Sequence, residues 1–158
     1  MPEDRPLYPK MARSLPIALL RARETVMGPF REMLAKSGIS EQKWRVLRVV
    51  DEMGPTEQTA IAEAACLLLP SLTRIVASME ADGYLERRGD PADRRKSIIA
   101  LTDAGRELIE RHAQESYAIQ TRLEDSIGPE KVEALLNLLD ELRERNTVKP
   151  EERGKPQD

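Results

Sequence analysis

From residue 15 the apolar positions follow a helical period. Leu15, Leu19, Ala22, Val26, Phe30 and Met33 are spaced by 4, 3, 4, 4 and 3 residues, which predicts one apolar stripe on a long helix ending near Gly38. Ser14 suits the cap position and Pro16 the first turn, while Pro29 is a candidate kink. Ser40 is expected to cap a second helix, with Glu41 at its positive end and Trp44, Leu47 and Val50 on its inner face. Gly54-Pro55 stops it, and Thr56 is expected to start a short third helix, "EQTAIAEAAC". After a break around Leu67 to Leu69, Pro70 opens a fourth helix with Leu72, Ile75, Val76 and Met79 on one side, and Gly83 fits a left-handed cap.

The period then shortens to that of strands. Tyr84 to Arg88 and "SIIALT" read as two strands, and "GDPAD" between them is rich in turn formers, so the segment predicts a β-hairpin. Thr102 is expected to cap a long helix to about Ser126. Gly128-Pro129 starts a last one, with Val132, Leu135, Leu139 and Leu142 near heptad spacing. The fold class is mainly α with a small hairpin, a winged helix-turn-helix flanked by long helices. The expected organisation is an irregular arm at 1–13, a single domain at 14–146 and a disordered polar tail at 147–158. Within the domain, a core at about 40–102 lies between helices at about 14–37 and 102–146. One chain has no way to cover three long apolar stripes, so a twofold homodimer joined through these helices is expected.

Composition narrows the picture. The 158 residues are 40% hydrophobic and only 3% aromatic, so the core must be aliphatic. The longest apolar run, Ala64 to Pro70, is too short to span a bilayer, and the N-terminus lacks the apolar middle of a secretory signal, so a soluble cytoplasmic protein is expected. A single cysteine, Cys66, excludes an internal disulfide and a cysteine-built zinc site. Its setting among apolar residues suits a small buried thiol. His112, the only histidine, has no array of carboxylates spaced for a metal, and no metal or other cofactor is expected. There is no glycine-rich phosphate loop, no nucleophile elbow and no nucleophile–histidine pair, so the chain is not read as an enzyme.

The formal charge of −3 does not point to nucleic acid, but its distribution does. Arg87 to Lys96 holds five cations and two anions, whereas Asp125 to Glu144 is acidic. In a helix-turn-helix the first residues of the second helix face base edges. Ser71 and Thr73 can donate there and Arg74 can fork onto guanine, although Ser71 and Thr73 also simply favour a helix start. Beside them, a basic hairpin can act as a wing, with arginine drawn into a narrow minor groove and other cations neutralising phosphates. The candidate DNA-binding residues are Ser71, Thr73, Arg74, Arg87, Arg94, Arg95 and Lys96, and the partner is a double-stranded operator. A helical interaction module with no DNA target, whose basic hairpin binds an acidic partner, is one alternative.

"DPADRRKSIIALTDAG" resembles the wing signature of MarR-type winged-helix regulators, and the likeness extends over roughly residues 14 to 146. More narrowly, "SLPIALLRARETVMGPFR", "SEQKWRVLRVV" and "ACLLLPSLTRIVASMEADG" resemble regulators of homoprotocatechuate (4-hydroxyphenylacetate) degradation operons. The resemblance implies a dimeric repressor of an aromatic catabolic operon, bound to a pseudo-palindromic operator and released by a small phenolic carboxylate. A regulator that answers a different small molecule is another alternative. It implies that Asp93 orients the wing, with Arg74 or Arg95 as its partner. It also implies an effector site between the outer helices and the core. Such a ligand needs a cation and an apolar wall. Arg21 and Arg23 on the first helix and Trp44, Arg45 and Arg48 on the second are available, and Arg21, Trp44 and Arg45 are the chosen set. Packing is the commoner role for a tryptophan at such a position.

Overall fold

A computed structural model describes residues 11–93 and 95–147. They form two compact units, Met1–Ile119 and Gln120–Asp158 in extent, with the boundary inside one long helix. The expected arm and tail lie outside the described residues, apart from a 3-10 turn at Met11–Arg13 and the single residue Thr147.

Helix α1 spans Leu15–Ala35 and runs unbroken through Pro29. Ser14 occupies its cap position in an extended conformation, but its side chain makes no capping bond. Most of the predicted stripe is not covered: Leu15, Leu19 and Val26 are exposed, while Met33 and Leu34 at the far end are buried. Helix α2, Glu41–Met53, is capped as expected, with Ser40 Oγ accepting the Lys43 backbone N–H at 3.2 Å. Its inner face carries Trp44, Val46, Leu47 and Val50, all buried.

Thr56 does not start the third helix. Thr56–Glu57 is a short strand, β1, and helix α3 covers Gln58–Ala64. The cause is distant in sequence. Strands β2 (Leu85–Gly89) and β3 (Ser97–Leu101) form the predicted hairpin. The other edge of β3 takes β1, with Thr56 opposite Ile99 and Glu57 opposite Ile98. The antiparallel sheet therefore has the order β1-β3-β2. As its central strand, β3 is covered on both faces, and Ile99, Ala100 and Leu101 are buried in succession.

Helix α4, Leu69–Ala81, buries Leu72, Val76 and Met79. It ends in a left-handed turn at Gly83 (φ 80°), where the Tyr84 N–H bonds the Met79 carbonyl at 2.9 Å and the Gly83 N–H bonds that of Glu80 at 3.0 Å. Helix α5 spans Asp103–Ile127. Thr102 joins α4 to it: its hydroxyl donates to the Gly83 carbonyl at 2.6 Å and accepts the Gly105 N–H at 3.1 Å. One side chain thus fixes the end of α4, the base of the hairpin and the start of α5.

His112 on α5 is buried, 2.8 Å from Ser37 Oγ through Nε2 and edge-on to the Trp44 ring at 5.7 Å. It acts as packing with a satisfied polar end, the role expected of a lone histidine. Helix α6, Pro129–Asn146, has no buried residue, and Leu135, Leu136 and Leu138 are exposed. No single helix among the described residues is long and apolar enough to cross a membrane.

Candidate nucleic-acid interface and effector pocket

The turn between α3 and α4 sets the exposed end of α4. Cys66 adopts φ 52° there and is exposed, so the expectation of a buried thiol is wrong. The preceding residue, Ala65, takes the core position, and the left-handed turn carries Cys66 outward. Ser71, Thr73 and Arg74 then lie exposed on the first turns of α4, while Leu72 between them points into the core. Thr73 donates to the Leu69 carbonyl at 2.9 Å and sits 3.2 Å from Gln58 Oε1 of α3.

The hairpin loop is built from two aspartates. Asp90 Oδ1 accepts the Ala92 N–H at 2.8 Å, and Asp93 Oδ1 accepts the Arg95 N–H at 3.0 Å. The expected partner of Asp93 is the side chain of Arg74 or Arg95. Instead it holds the backbone of Arg95, because an Asx turn places the carboxylate over the amide two residues on. Asp93 thus fixes the path of the hairpin loop through the backbone of Arg95.

The predicted cations divide by partner. Arg87 forks onto Glu80 of α4, with Nη2 to Oε2 at 3.1 Å and Nε to Oε1 at 3.3 Å, and it also reaches Ser97 Oγ at 3.0 Å. This bidentate pair fastens the hairpin stem to α4. Lys96 bonds Glu57 of β1 at 2.8 Å, and that carboxylate, by hydrogen bond and charge, holds its ammonium above the usual lysine value. Arg74 and Arg95 take part in no ion pair among the described residues. Arg94 lies outside the described residues. Glu57 and Glu80 are not among the sequence candidates, since nothing local marks a carboxylate whose partner lies on another element.

A second feature lies between α1 and α2. A pocket of about 340 Å³ is lined by Arg23, Met27 and Phe30 of α1 and by Glu41, Trp44, Arg45 and Arg48 of α2. It combines Trp44 and two other apolar side chains with three guanidinium groups and one carboxylate, and its apolar wall and cations suit an aromatic anion. Of the three residues chosen from the sequence, Trp44 and Arg45 line it. Arg21 does not: it is exposed and absent from the lining, and Arg23 takes the place assigned to it. Two residues along a helix are about 200° of rotation, so the two arginines point to opposite sides. Among the described residues no group of three or more His, Cys, Asp and Glu side chains could hold a metal ion.

The MarR family model matches residues 39–97, from just before α2 to the first residue of β3. The homoprotocatechuate degradative operon repressor of Escherichia coli is 37% identical over 131 residues, covering 83% of this chain and 88% of that protein. The chain belongs to the MarR family. It is a transcriptional regulator with a winged helix, and not an enzyme. Two solved MarR-like structures bear on the two features above. NadR in complex with 4-hydroxyphenylacetate is 35% identical, with a TM-score of 0.73 over 83% of this chain and 96% of that one. CouR bound to a 23-mer DNA duplex is 29% identical, with a TM-score of 0.75 over 85% and 98%.

Proposed function

We propose that this MarR-family regulator is a homodimeric repressor of an aromatic-acid catabolic operon, released from a pseudo-palindromic operator by a phenolic carboxylate such as 4-hydroxyphenylacetate. The observation that carries this reading is the pocket of Trp44 and three arginines, in a chain 35% identical to a protein solved with that acid. Aromatic ring and carboxylate match the two kinds of wall. In this reading Trp44, Arg45 and Arg23 are the binding residues, with Arg48 beside them.

On the DNA side, Ser71, Thr73 and Arg74 enter the major groove. Arg95 and, by its place in the sequence, Arg94 work at the wing. Lys96 and Arg87 support the hairpin and meet phosphates, Lys96 after exchanging Glu57 for them. The core at about 40–102 reads DNA, and the flanking helices form the dimer. The exposed leucines of α1 and of α6 favour a second copy as their cover. Two recognition helices must then stand about 34 Å apart to reach successive major grooves. The action is cytoplasmic, where the operator is.

The mechanism is linkage. An acid that prefers the dimer with misplaced recognition helices lowers DNA affinity, and DNA lowers affinity for the acid by the same factor. Gel-shift titration on DNA upstream of the gene and its neighbours should give a specific complex at moderate salt, and 4-hydroxyphenylacetate or its 3-hydroxy derivative should weaken it. No specific shift sinks the repressor reading. A screen in which another aromatic acid acts and these two do not keeps the repressor and replaces the effector.

The wing has its own test. Arg95→Ala should weaken binding to all sequences alike and reduce the slope of log affinity against log salt by about 1 for each phosphate that Arg95 neutralises. An unchanged slope removes Arg95 from the interface.

A further inference from the structure

Glu41 stands in the pocket as an anion among cations. It is the first residue of α2, and only 15% of its side chain is exposed. Its Oε1 accepts from Arg23 and, at 3.2 Å, from Arg45, and its Oε2 accepts from Arg31 at 3.3 Å. No other carboxylate among the described residues pairs with three cations.

These bonds engage two of the three pocket arginines, Arg23 and Arg45. Arg45 gives Nη1 to the Ala65 carbonyl at 2.9 Å and Nη2 to Glu41. Arg23 gives Nη1 to Glu24 at 3.3 Å and Nη2 to Glu41. Arg48, the third pocket arginine, is bridged to Asp51 at 3.0 Å. A carboxylate binds a guanidinium most strongly across two parallel N–H groups; on Arg23 and Arg45 both terminal nitrogens already carry a bond, whereas Arg48 is bonded through Nη1 alone. A second carboxylate added without any exchange would also sit beside Glu41 in a half-enclosed space, where like charges repel.

We propose that Glu41 is the internal counter-anion of the effector pocket: it holds the arginines in the free protein, and an aromatic acid binds by taking them from it. The proposal rests on the effector reading given above and adds the residue that regulates the site. Glu41 makes the pocket selective, because a neutral phenol has no charge with which to displace it. The exchange also has a mechanical side. The bonds from Arg23 and Arg31 to Glu41 tie α1 to the first turn of α2, and α2 packs on α3, α4 and β3. Releasing Glu41 loosens a tie on the helix that supports the reading head.

The test is isothermal titration of the full chain and its Glu41→Gln variant with 4-hydroxyphenylacetate and with the neutral 4-hydroxyphenylacetamide. Removing the competing charge should tighten binding of the acid about tenfold and leave that of the amide unchanged. Should the Gln variant melt before it can be titrated, Glu41→Asp serves. It keeps a charge at the start of α2 but withdraws it from the arginines by one methylene, and it should also favour the acid. Acid binding that is unchanged or weaker in the variants, while the wild type binds, overturns the counter-anion and leaves the effector reading intact. An equal gain for acid and amide also overturns it, since it means that Glu41 only shapes the pocket. If no phenolic acid binds either protein, the effector reading falls and the proposal with it.

Discussion

Gly105→Ala should lower stability by about 2–3 kcal/mol and the melting temperature by about 5–10 °C. A Cβ at residue 105 would overlap the Tyr84 carbonyl oxygen, well inside van der Waals contact, and would stand 3.0 Å from Leu101 Cδ2. The first obstacle is backbone, so no rotamer change relieves it. The carbonyl is also committed, because it accepts the Thr102 N–H at 3.1 Å. Pushing it away strains the joint where Thr102 ties the end of α4 to the start of α5. Leu85 and Leu101, paired at the base of the hairpin, lie next to that joint. The wing should therefore shift relative to α4, and DNA affinity should fall in protein that is still folded. Gly89→Ala is the control: a Cβ there meets nothing within 4 Å, and thermal melting should be nearly unchanged. If Gly105→Ala melts like the wild type, the close approach of α5 to Tyr84 is not the constraint that requires glycine here.

Gly105 also shows what kind of information the chain carries openly. In sequence it is only the last residue of a wing signature, and its physical reason, contact with a carbonyl 21 residues earlier, needs the fold. Features written in local chemistry are legible: the apolar periods of α1, α2 and α4, the Gly83 cap, and the turn formers between β2 and β3. Features decided by distant partners are not. β1 is two residues long and has no period to read, and it exists because β3 has a free edge. Arg21 and Arg23 are chemically equal in the sequence, and only the phase of α1 against α2 selects Arg23 for the pocket. Cys66 sits in an apolar run, yet a left-handed turn carries it out to solvent.

The same distinction separates the wing cations. Arg87, Arg95 and Lys96 look like one basic cluster in sequence, but Glu80 and Glu57 neutralise two of them in the free protein. Neutralisation is not idleness. The Arg87–Glu80 fork fastens the hairpin stem to α4 whether or not Arg87 meets a phosphate. Arg95, held by its backbone to Asp93, is exposed and pairs with no acid among the described residues. The local excess of positive charge is therefore less available to DNA than a count suggests, and Arg74 and Arg95, which pair with no acid among the described residues, should contribute most to DNA binding.

Arg74 is the strongest case. It is exposed on the second turn of α4, beside Ser71 and Thr73, and pairs with no acid among the described residues. A guanidinium so placed can form two parallel bonds to guanine O6 and N7, which no other base presents in that geometry. Arg74→Ala should cost about 1–3 kcal/mol at each half-site. A dimer on a palindrome loses this twice, about 2–6 kcal/mol in all, so operator affinity should fall by about thirtyfold or more at fixed salt. Binding to unrelated DNA, which depends on phosphates, should change far less, and the dimer should remain intact by light scattering. The contrast with Arg95→Ala is the useful measurement. The Arg95 change should act on specific and non-specific DNA alike, whereas the Arg74 change should narrow the difference between them. Fluorescence anisotropy on the operator and on a scrambled duplex, for both variants across a salt series, gives all four slopes. If Arg74→Ala keeps the specificity ratio of the wild type, α4 does not read bases through this residue, and specificity must come from the wing or from DNA shape.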